Sequence, residues 1–220
     1  MILVAVEGII GAGKTTLAEN IEIELKKMGR ARALLIPEPT QENTSWLARY
    51  YTDPQRWAFH TQLAMLVGRS SMLRWAINSS GIADIIIFDR SIVGDKMFAH
   101  ANHKIGNLSD DEMTLYSLIH QNLLGSDTPV DYIIHVDTPV DDAMISVFER
   151  ARIGEGVGVT KEYQSLLQEG LKSTLEDQSC PLLVVERLPL GAAYDLQVNR
   201  IAARLCDIHQ AQKLLPLPPP

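Results

Sequence analysis

Short, continuous apolar runs alternate along this chain with longer stretches in which apolar residues recur every three or four positions. Five runs, at 2–6, 33–36, 84–88, 132–136 and 182–185, are rich in Ile, Val and Leu. Such runs predict strands that are covered on both faces, as in a parallel sheet.

The stretches between these runs predict helices. Leu17, Ile21, Leu25 and Met28 have helical spacing and indicate a helix that opens at about Thr15. Further helices are predicted at 46–51, 54 to about 78, 92–103, 109–124, from about 140, 160 to about 175, and 194 to about 208. Strands alternating with helices favour an α/β fold, a five-stranded parallel sheet with helices on both faces.

The first predicted strand and helix are joined by Gly-Ile-Ile-Gly-Ala-Gly-Lys-Thr at 8–15, which fits the phosphate-binding loop pattern. Glycines let the backbone approach a phosphate closely, and the helix N-terminus holds the anion. Lys14 is placed to reach the outer phosphates, and the Thr15 hydroxyl suits Mg²⁺. The loop therefore predicts binding of a nucleoside triphosphate, with contacts from Gly8, Gly11, Ala12, Gly13, Lys14, Thr15 and Thr16.

Composition narrows the class of protein. The net charge of -7 disfavours a nucleic-acid partner, and no apolar run is long enough for a membrane span. The two cysteines form no disulfide framework, and an N-terminal core strand leaves no room for a signal peptide, so we expect a cytoplasmic protein. We predict one domain at 1–213 and a proline-rich tail at 214–220.

Charged residues follow two of the predicted strands. Glu38 lies between Pro37 and Pro39 after the second strand, and Asp89 and Arg90 end the third. Because the carboxyl ends of parallel strands meet at one edge of a sheet, we expect these side chains to gather beside the phosphate loop.

The predicted constellation contains what phosphoryl transfer requires. Thr15 and Asp89 are candidate Mg²⁺ ligands, and Glu38 is the candidate base for an acceptor hydroxyl. Arg150 and Arg152, followed by three glycines in five residues, indicate an arginine-bearing lid at about 150–159. GTPase switches require a guanine-reading Asn-Lys-x-Asp, which does not occur here, so the set favours a small-molecule kinase.

The ordered motifs resemble those of the deoxynucleoside kinase family, which has a P-loop kinase fold. The resemblance rests on EGIIGAGKTT at 7–16, Glu38-Pro39, WAFHTQ at 57–62, DRS at 89–91, and Arg150-Ala151-Arg152 with Glu155. These motifs span nearly the whole chain. The short segment between Glu38 and Tyr51 is similar to bacterial-type members.

The resemblance implies that ATP phosphorylates the 5′-hydroxyl of a deoxynucleoside, in nucleotide salvage, by a homodimer. It assigns the catalytic roles to Glu38 as base, Arg90 near the reacting oxygen, and Lys14. It implies that Tyr51 and Glu155 hold the 3′-hydroxyl, that Gln62 pairs with the base, and that Leu47 also contacts the substrate.

The resemblance further assigns Arg69 and Asp95 to a pair typical of members that act on deoxycytidine or purine deoxynucleosides. We therefore expect these substrates to be preferred over thymidine. Asp95 would accept a hydrogen bond from the exocyclic amine of the base, either directly or with Arg69 held by it. Phe98 is the nearest candidate for an aromatic that stacks on the base. One departure concerns the donor side, because Ser146 stands where the family usually has an arginine.

Several alternatives remain open at this stage. A nucleoside monophosphate kinase of the thymidylate kinase type shares most of these motifs, although it needs a cation for the acceptor's phosphate and 34–37 contains none. A non-catalytic nucleotide-binding regulator would not need a base. Arg69 with Asp95 could be a surface ion pair, Tyr51 a core residue, and Glu155 a solvated side chain.

Overall fold

The computed structural model describes residues 1–40, 44–79, 81–124, 130–150 and 158–214, with the side chains of the last two left out. The predictions for Arg152 and Glu155, most of the predicted lid, and residues 215–220 of the predicted tail lie outside the described residues.

A five-stranded parallel sheet forms the centre of the molecule, which confirms the predicted fold class. Its strands are β1 (Ile2–Glu7), β2 (Ala33–Ile36), β3 (Ile85–Asp89), β4 (Tyr132–Asp137) and β5 (Leu182–Glu186), in the spatial order β2-β3-β1-β4-β5. Val4 of the central strand pairs with Ile87 on one side and Tyr132 on the other. The sheet order puts the residues after β2 and those after β5 on opposite flanks of the phosphate loop.

Eight α-helices connect and cover the strands in the described part of the chain. They are α1 (Lys14–Met28), α2 (Thr44–Thr52), α3 (Pro54–Asn78), α4 (Lys96–Lys104), α5 (Asp110–Leu124), α6 (Val140–Arg150), α7 (Lys161–Glu176) and α8 (Ala192–Leu214). None of these helices is long and apolar enough to cross a membrane.

Side chains cap the starts of two helices, α3 and α5. The side chain of Asp53 accepts a hydrogen bond from the backbone N–H of Arg56, with Pro54 in the first turn of α3. Ser109 and Glu112 form a capping box: the Ser109 hydroxyl accepts a hydrogen bond from Glu112 N, and the Glu112 carboxylate accepts one from Ser109 N.

Two helices differ from their predicted bounds. The stretch predicted as one helix at 92–103 begins as a 3-10 turn, Val93–Asp95, before α4. Gly94 in this turn packs directly on the Glu7 carboxylate, where a larger side chain would collide. The last helix is longer than the predicted 194–208 and includes Leu214, so the predicted start of the tail falls within α8.

Candidate active site

The carboxyl ends of β1, β2 and β3 open into a cleft of about 740 Å³. The residues predicted for phosphate, metal and substrate contacts converge there. The cleft is lined by eleven of them: Gly11, Lys14, Thr15, Glu38, Leu47, Tyr51, Gln62, Arg69, Asp89, Arg90 and Arg150. Such a concave site with a few charged groups has the form of a small-molecule site.

The phosphate loop has the backbone that its glycines predict. Gly11 and Gly13 have φ angles of 79° and 90°, in the left-handed region that side chains disfavour. A Cβ at Gly11 would also collide with the carbonyl of Ala143. The loop turns directly into α1, whose first N–H groups have no partners within the helix and can therefore bind an anion.

Five side chains, Lys14 from the loop itself and four from outside it, bind five successive loop carbonyls. We call these side chains the outer brace. The hydrogen bonds are Arg90 Nη2 to Gly8 O (2.9 Å), Lys14 Nζ to Ile9 O (2.8 Å), Gln164 Nε2 to Ile10 O (2.6 Å), Arg187 Nη1 to Gly11 O (3.2 Å) and Thr138 Oγ1 to Ala12 O (3.2 Å). These hydrogen bonds satisfy the loop carbonyls and restrain the loop backbone.

Lys14 is buried beneath the loop, with 7% of its surface exposed. Burial lowers the pKa of its ammonium group to about 7, and the positive charge of Arg90 acts in the same direction. A triphosphate beside Lys14 would favour the charged form, so anion binding here is coupled to the protonation of Lys14.

Thr15 and Asp89 meet at the floor of the cleft. The Thr15 hydroxyl donates to Asp89 Oδ2 over 2.5 Å. The other carboxylate oxygen, Oδ1, is buried and has no hydrogen-bond partner within the described ranges. A hydroxyl beside an unsatisfied carboxylate oxygen is a donor set that suits Mg²⁺. These two side chains therefore fit the metal that the sequence predicts.

Glu38 lies between two arginines. Its Oε1 is 2.6 Å from Arg69 Nη2 and 2.9 Å from Arg90 Nε. Burial by itself would raise the pKa of Glu38, but the positive charges of Arg90, Arg69 and Lys14 outweigh it and lower the pKa to about 2. Glu38 is consequently an ionised hydrogen-bond acceptor at neutral pH.

The corner at Arg90 is strained and tightly held. Arg90 has a φ of 66°, which costs a residue with a side chain about 1–3 kcal/mol. Its N–H donates to Val6 O, and its guanidinium stacks 4.8 Å from the centre of the Phe98 ring. The fully buried Glu7 accepts hydrogen bonds from both N and Oγ of Ser91 at 2.8 Å. These contacts fix Arg90 beside the loop and Glu38.

Asp95 is the hub of a buried polar network behind the cleft wall. It is completely buried, and its carboxylate accepts hydrogen bonds from Arg69, from Gln62 Nε2 (2.6 Å) and from the Tyr116 hydroxyl (2.7 Å). The Arg69 side chain is 2% exposed, so the pair is not a surface ion pair. Because its carboxylate is enclosed by these three donors, Asp95 orients Arg69 and Gln62, which themselves line the cleft.

The other predicted contacts lie around the rim. Tyr51 packs against Gly158, which has no room for a Cβ beside the Tyr51 ring. Ser146 lies on α6, where its hydroxyl donates to Asp142 O at 3.4 Å. Arg187, from the far side of the sheet, donates to the same carbonyl at 3.2 Å.

Sequence reasoning missed five residues that shape this site. Glu7 stands inside the recognised loop motif but was given no role. Tyr116, Thr138, Gln164 and Arg187 lie in elements without a motif, and no local pattern marks them.

Comparisons with known proteins agree with this geometry. Residues 4–191 match the family model described as "Deoxynucleoside kinase". The chain is 28% identical to a deoxyadenosine kinase of Dictyostelium discoideum over 80% of this chain and 67% of that protein. It is also 28% identical to a deoxyguanosine kinase of Lactobacillus acidophilus, over 80% of this chain and 72% of that one.

Among solved structures, the chain is similar to deoxyadenosine kinase from M. mycoides with the products dCMP and a flexible dCDP bound. The TM-score is 0.76 at 26% identity, and the match covers 93% of this chain and 99% of that one. The relative's P-loop kinase fold confirms the predicted fold.

Proposed function

Because this chain belongs to the deoxynucleoside kinase family and is a kinase, we propose that it transfers the γ-phosphoryl group of ATP to the 5′-hydroxyl of a deoxynucleoside. Glu38 is the base that accepts the hydroxyl proton. Arg90 and Lys14 stabilise the charge that develops on the transferring group.

The position of Glu38 between Arg69 and Arg90 carries this proposal. A hydroxyl can donate a hydrogen bond to the ionised carboxylate and is then aligned for attack. The phosphate of a nucleoside monophosphate would need Arg69 and Arg90 as cationic partners. Both already contact the Glu38 carboxylate, at 2.6 Å and 2.9 Å, and its negative charge would repel the phosphate. The site therefore favours a nucleoside as acceptor over a nucleoside monophosphate. This disfavours a reaction of the thymidylate kinase type.

The donor phosphates would lie against the loop. The N–H groups of Gly11, Ala12 and Gly13, with Gly8, Thr16 and the lid arginines Arg150 and Arg152, complete the proposed phosphate contacts. Thr15 and Asp89 would hold Mg²⁺, which neutralises phosphate charge when bound. The outer brace preorganises the loop for the phosphates, because its hydrogen bonds to the loop carbonyls hold these carbonyls away from the anion.

The base preference follows from the orientation of the Gln62 amide. A carboxylate only accepts hydrogen bonds, so Asp95 requires the NH₂ group of Gln62 on its side. The Gln62 oxygen is then the group left for the base, and it accepts the exocyclic amine of cytosine or adenine. Thymine would place a carbonyl oxygen against it. Leu47, Tyr51 and Glu155 complete the proposed substrate contacts.

A competition assay tests this pocket. Wild-type enzyme with equal concentrations of four deoxynucleosides should phosphorylate deoxycytidine or a purine deoxynucleoside far more than thymidine, by up to about 10⁴-fold. The double variant Arg69→Met with Asp95→Ala should relax that bias. Both residues are replaced together, because removing one of them would leave a buried charge without its partner. Equal use of thymidine by the wild type would contradict the proposed pocket.

We further propose a homodimer that acts in cytoplasmic deoxynucleoside salvage. Apolar side chains on α3 and α5 support an interface: Val67, Trp75, Leu115 and Leu118 are each about half exposed. Sedimentation should therefore give twice the chain mass of 24.4 kDa. A monomer at micromolar concentration would contradict the dimer, and cell fractionation tests the location.

A further inference from the structure

Arg187 differs from the rest of the outer brace. Lys14, Arg90, Thr138 and Gln164 are buried, with at most 7% of their surface exposed. Arg187 is exposed to solvent at the mouth of the loop. A ligand can reach its guanidinium but not the buried members from that side.

The backbone of Arg187 is held in place at the end of β5. Its N–H donates to Asp137 O at the end of β4, which continues the ladder between the two strands. The preceding residue, Glu186, accepts a hydrogen bond on its carbonyl from Gln197. Arg187 is therefore a cation on a rigid element, which keeps the entropic cost of binding low.

One nitrogen of the Arg187 guanidinium makes all of the hydrogen bonds that this side chain forms with the described residues. Nη1 donates to Gly11 O and to Asp142 O, each at 3.2 Å. Nε and Nη2 have no partner in the described ranges, and no described carboxylate lies within ion-pair distance of the guanidinium. Its Nε is 3.8 Å from the place of a Cβ on Gly13, the N-cap residue of α1. A fixed positive charge with unused donors thus stands beside a phosphate-binding helix terminus.

The sheet order decides which substrate this charge meets. Glu38 follows β2 at one edge of the sheet, Arg187 follows β5 at the other, and the loop follows the central β1. The cleft that holds the proposed acceptor contacts extends from the loop toward Glu38, and Arg187 is not among the residues lining it. The α-phosphate and nucleoside part of the donor must then extend toward β4 and β5.

We propose that Arg187 binds the donor nucleotide, with its unused guanidinium nitrogens directed to the α-phosphate and nucleoside end. This inference rests on the proposed function, in which a nucleoside triphosphate occupies the loop. Guanidinium groups suit this task because they remain charged, offer several donors and stack on flat rings. Arg187 thus both braces the loop and contacts the ligand.

Calorimetric titration of the full-length protein with a non-hydrolysable ATP analogue and Mg²⁺ tests the inference without requiring turnover. Arg187→Ala and Arg187→Gln should each weaken binding about tenfold, the loss expected for one charge-assisted contact. Arg187→Lys retains the charge and should bind more tightly than either. Arg200→Gln, an exposed arginine on α8, is the matched control and should bind like wild type. The KM for the deoxynucleoside should stay within twofold in all variants.

Two results would overturn the inference. One is wild-type affinity for the analogue in both Arg187→Ala and Arg187→Gln. The other is a lower melting temperature with an equal rise of donor and acceptor KM, which indicates a brace without ligand contact. If Arg187→Ala does not fold, the Gln and Lys variants decide the question. A wild-type enzyme that binds the analogue but phosphorylates no deoxynucleoside would refute the proposed function alone.

Discussion

Replacing Asp95 with asparagine should change both the stability and the base preference of the enzyme. The side chain keeps its size but loses its charge, and one of its oxygens becomes an NH₂ group. This group cannot face the Arg69 guanidinium, so it takes the place of Oδ2, opposite Gln62 and Tyr116. Gln62 should then turn its oxygen toward the new NH₂ group, giving up the 3.2 Å hydrogen bond from its Nε2 to the carbonyl of residue 95, and present its own NH₂ group to the base.

The magnitude follows from the burial of the pair. Removing one partner of a buried ion pair costs roughly 3–5 kcal/mol. We take the lower value of about 3 kcal/mol, because Arg69 would still have the Glu38 carboxylate at 2.6 Å as an ion-pair partner. At roughly 2–4 °C per kcal/mol for a chain of this size, the melting temperature should fall by about 6–12 °C. The reversed amide should favour the carbonyl oxygen of thymine over an exocyclic amine.

Differential scanning calorimetry and the four-substrate competition assay measure the two effects. Asp207→Asn is a suitable control, because this exposed carboxylate pairs with the exposed Arg30 on the surface and such pairs contribute little. An Asp95→Asn variant that melts like wild type would refute the buried network. One that melts lower but keeps the wild-type order of substrates would refute the locked Gln62 amide.

Two further predictions concern Glu38 and Lys14. Glu38→Gln should fold and bind the ATP analogue but lose about 10²–10⁴ in kcat; Glu176→Gln on the surface of α7 is its control, and near-normal turnover would show that Glu38 is not the base. Because the pKa of Lys14 is lowered to about 7, most of its ammonium groups are deprotonated at pH 8 and regain a proton beside a triphosphate. Calorimetry in buffers of different ionisation enthalpy should thus show proton uptake on analogue binding at pH 8 and less at pH 6; equal uptake at both would contradict the lowered pKa.

The fold was accessible from sequence because its signals are local. Each strand is a continuous apolar run, Asp53-Pro54 marks the start of α3, and Ser109 with Glu112 marks the start of α5. The 3-10 turn was missed because it depends on Gly94 packing against Glu7, which lies on β1. That contact leaves no trace in the helical periodicity around residue 94.

The site was accessible only in part. Glu38, Asp89 and Arg90 were expected beside the loop because the carboxyl ends of parallel strands meet at one edge of a sheet, and all three line the cleft. Partners of the loop that come from distant elements could not be found, because Gln164 and Arg187 are 154 and 176 residues from the carbonyls that they bind. The Tyr116 bond to Asp95 likewise depends on how α5 packs, which no motif encodes.

The identity of the phosphorylated product distinguishes a deoxynucleoside kinase from a nucleoside monophosphate kinase. Wild-type enzyme should be incubated with Mg²⁺, γ-labelled ATP and, separately, each deoxynucleoside and each nucleoside monophosphate. We expect label in deoxynucleoside 5′-monophosphates, with deoxycytidine or a purine deoxynucleoside as the best acceptor. Label found only in diphosphates made from monophosphate acceptors, or in no product, would contradict this expectation.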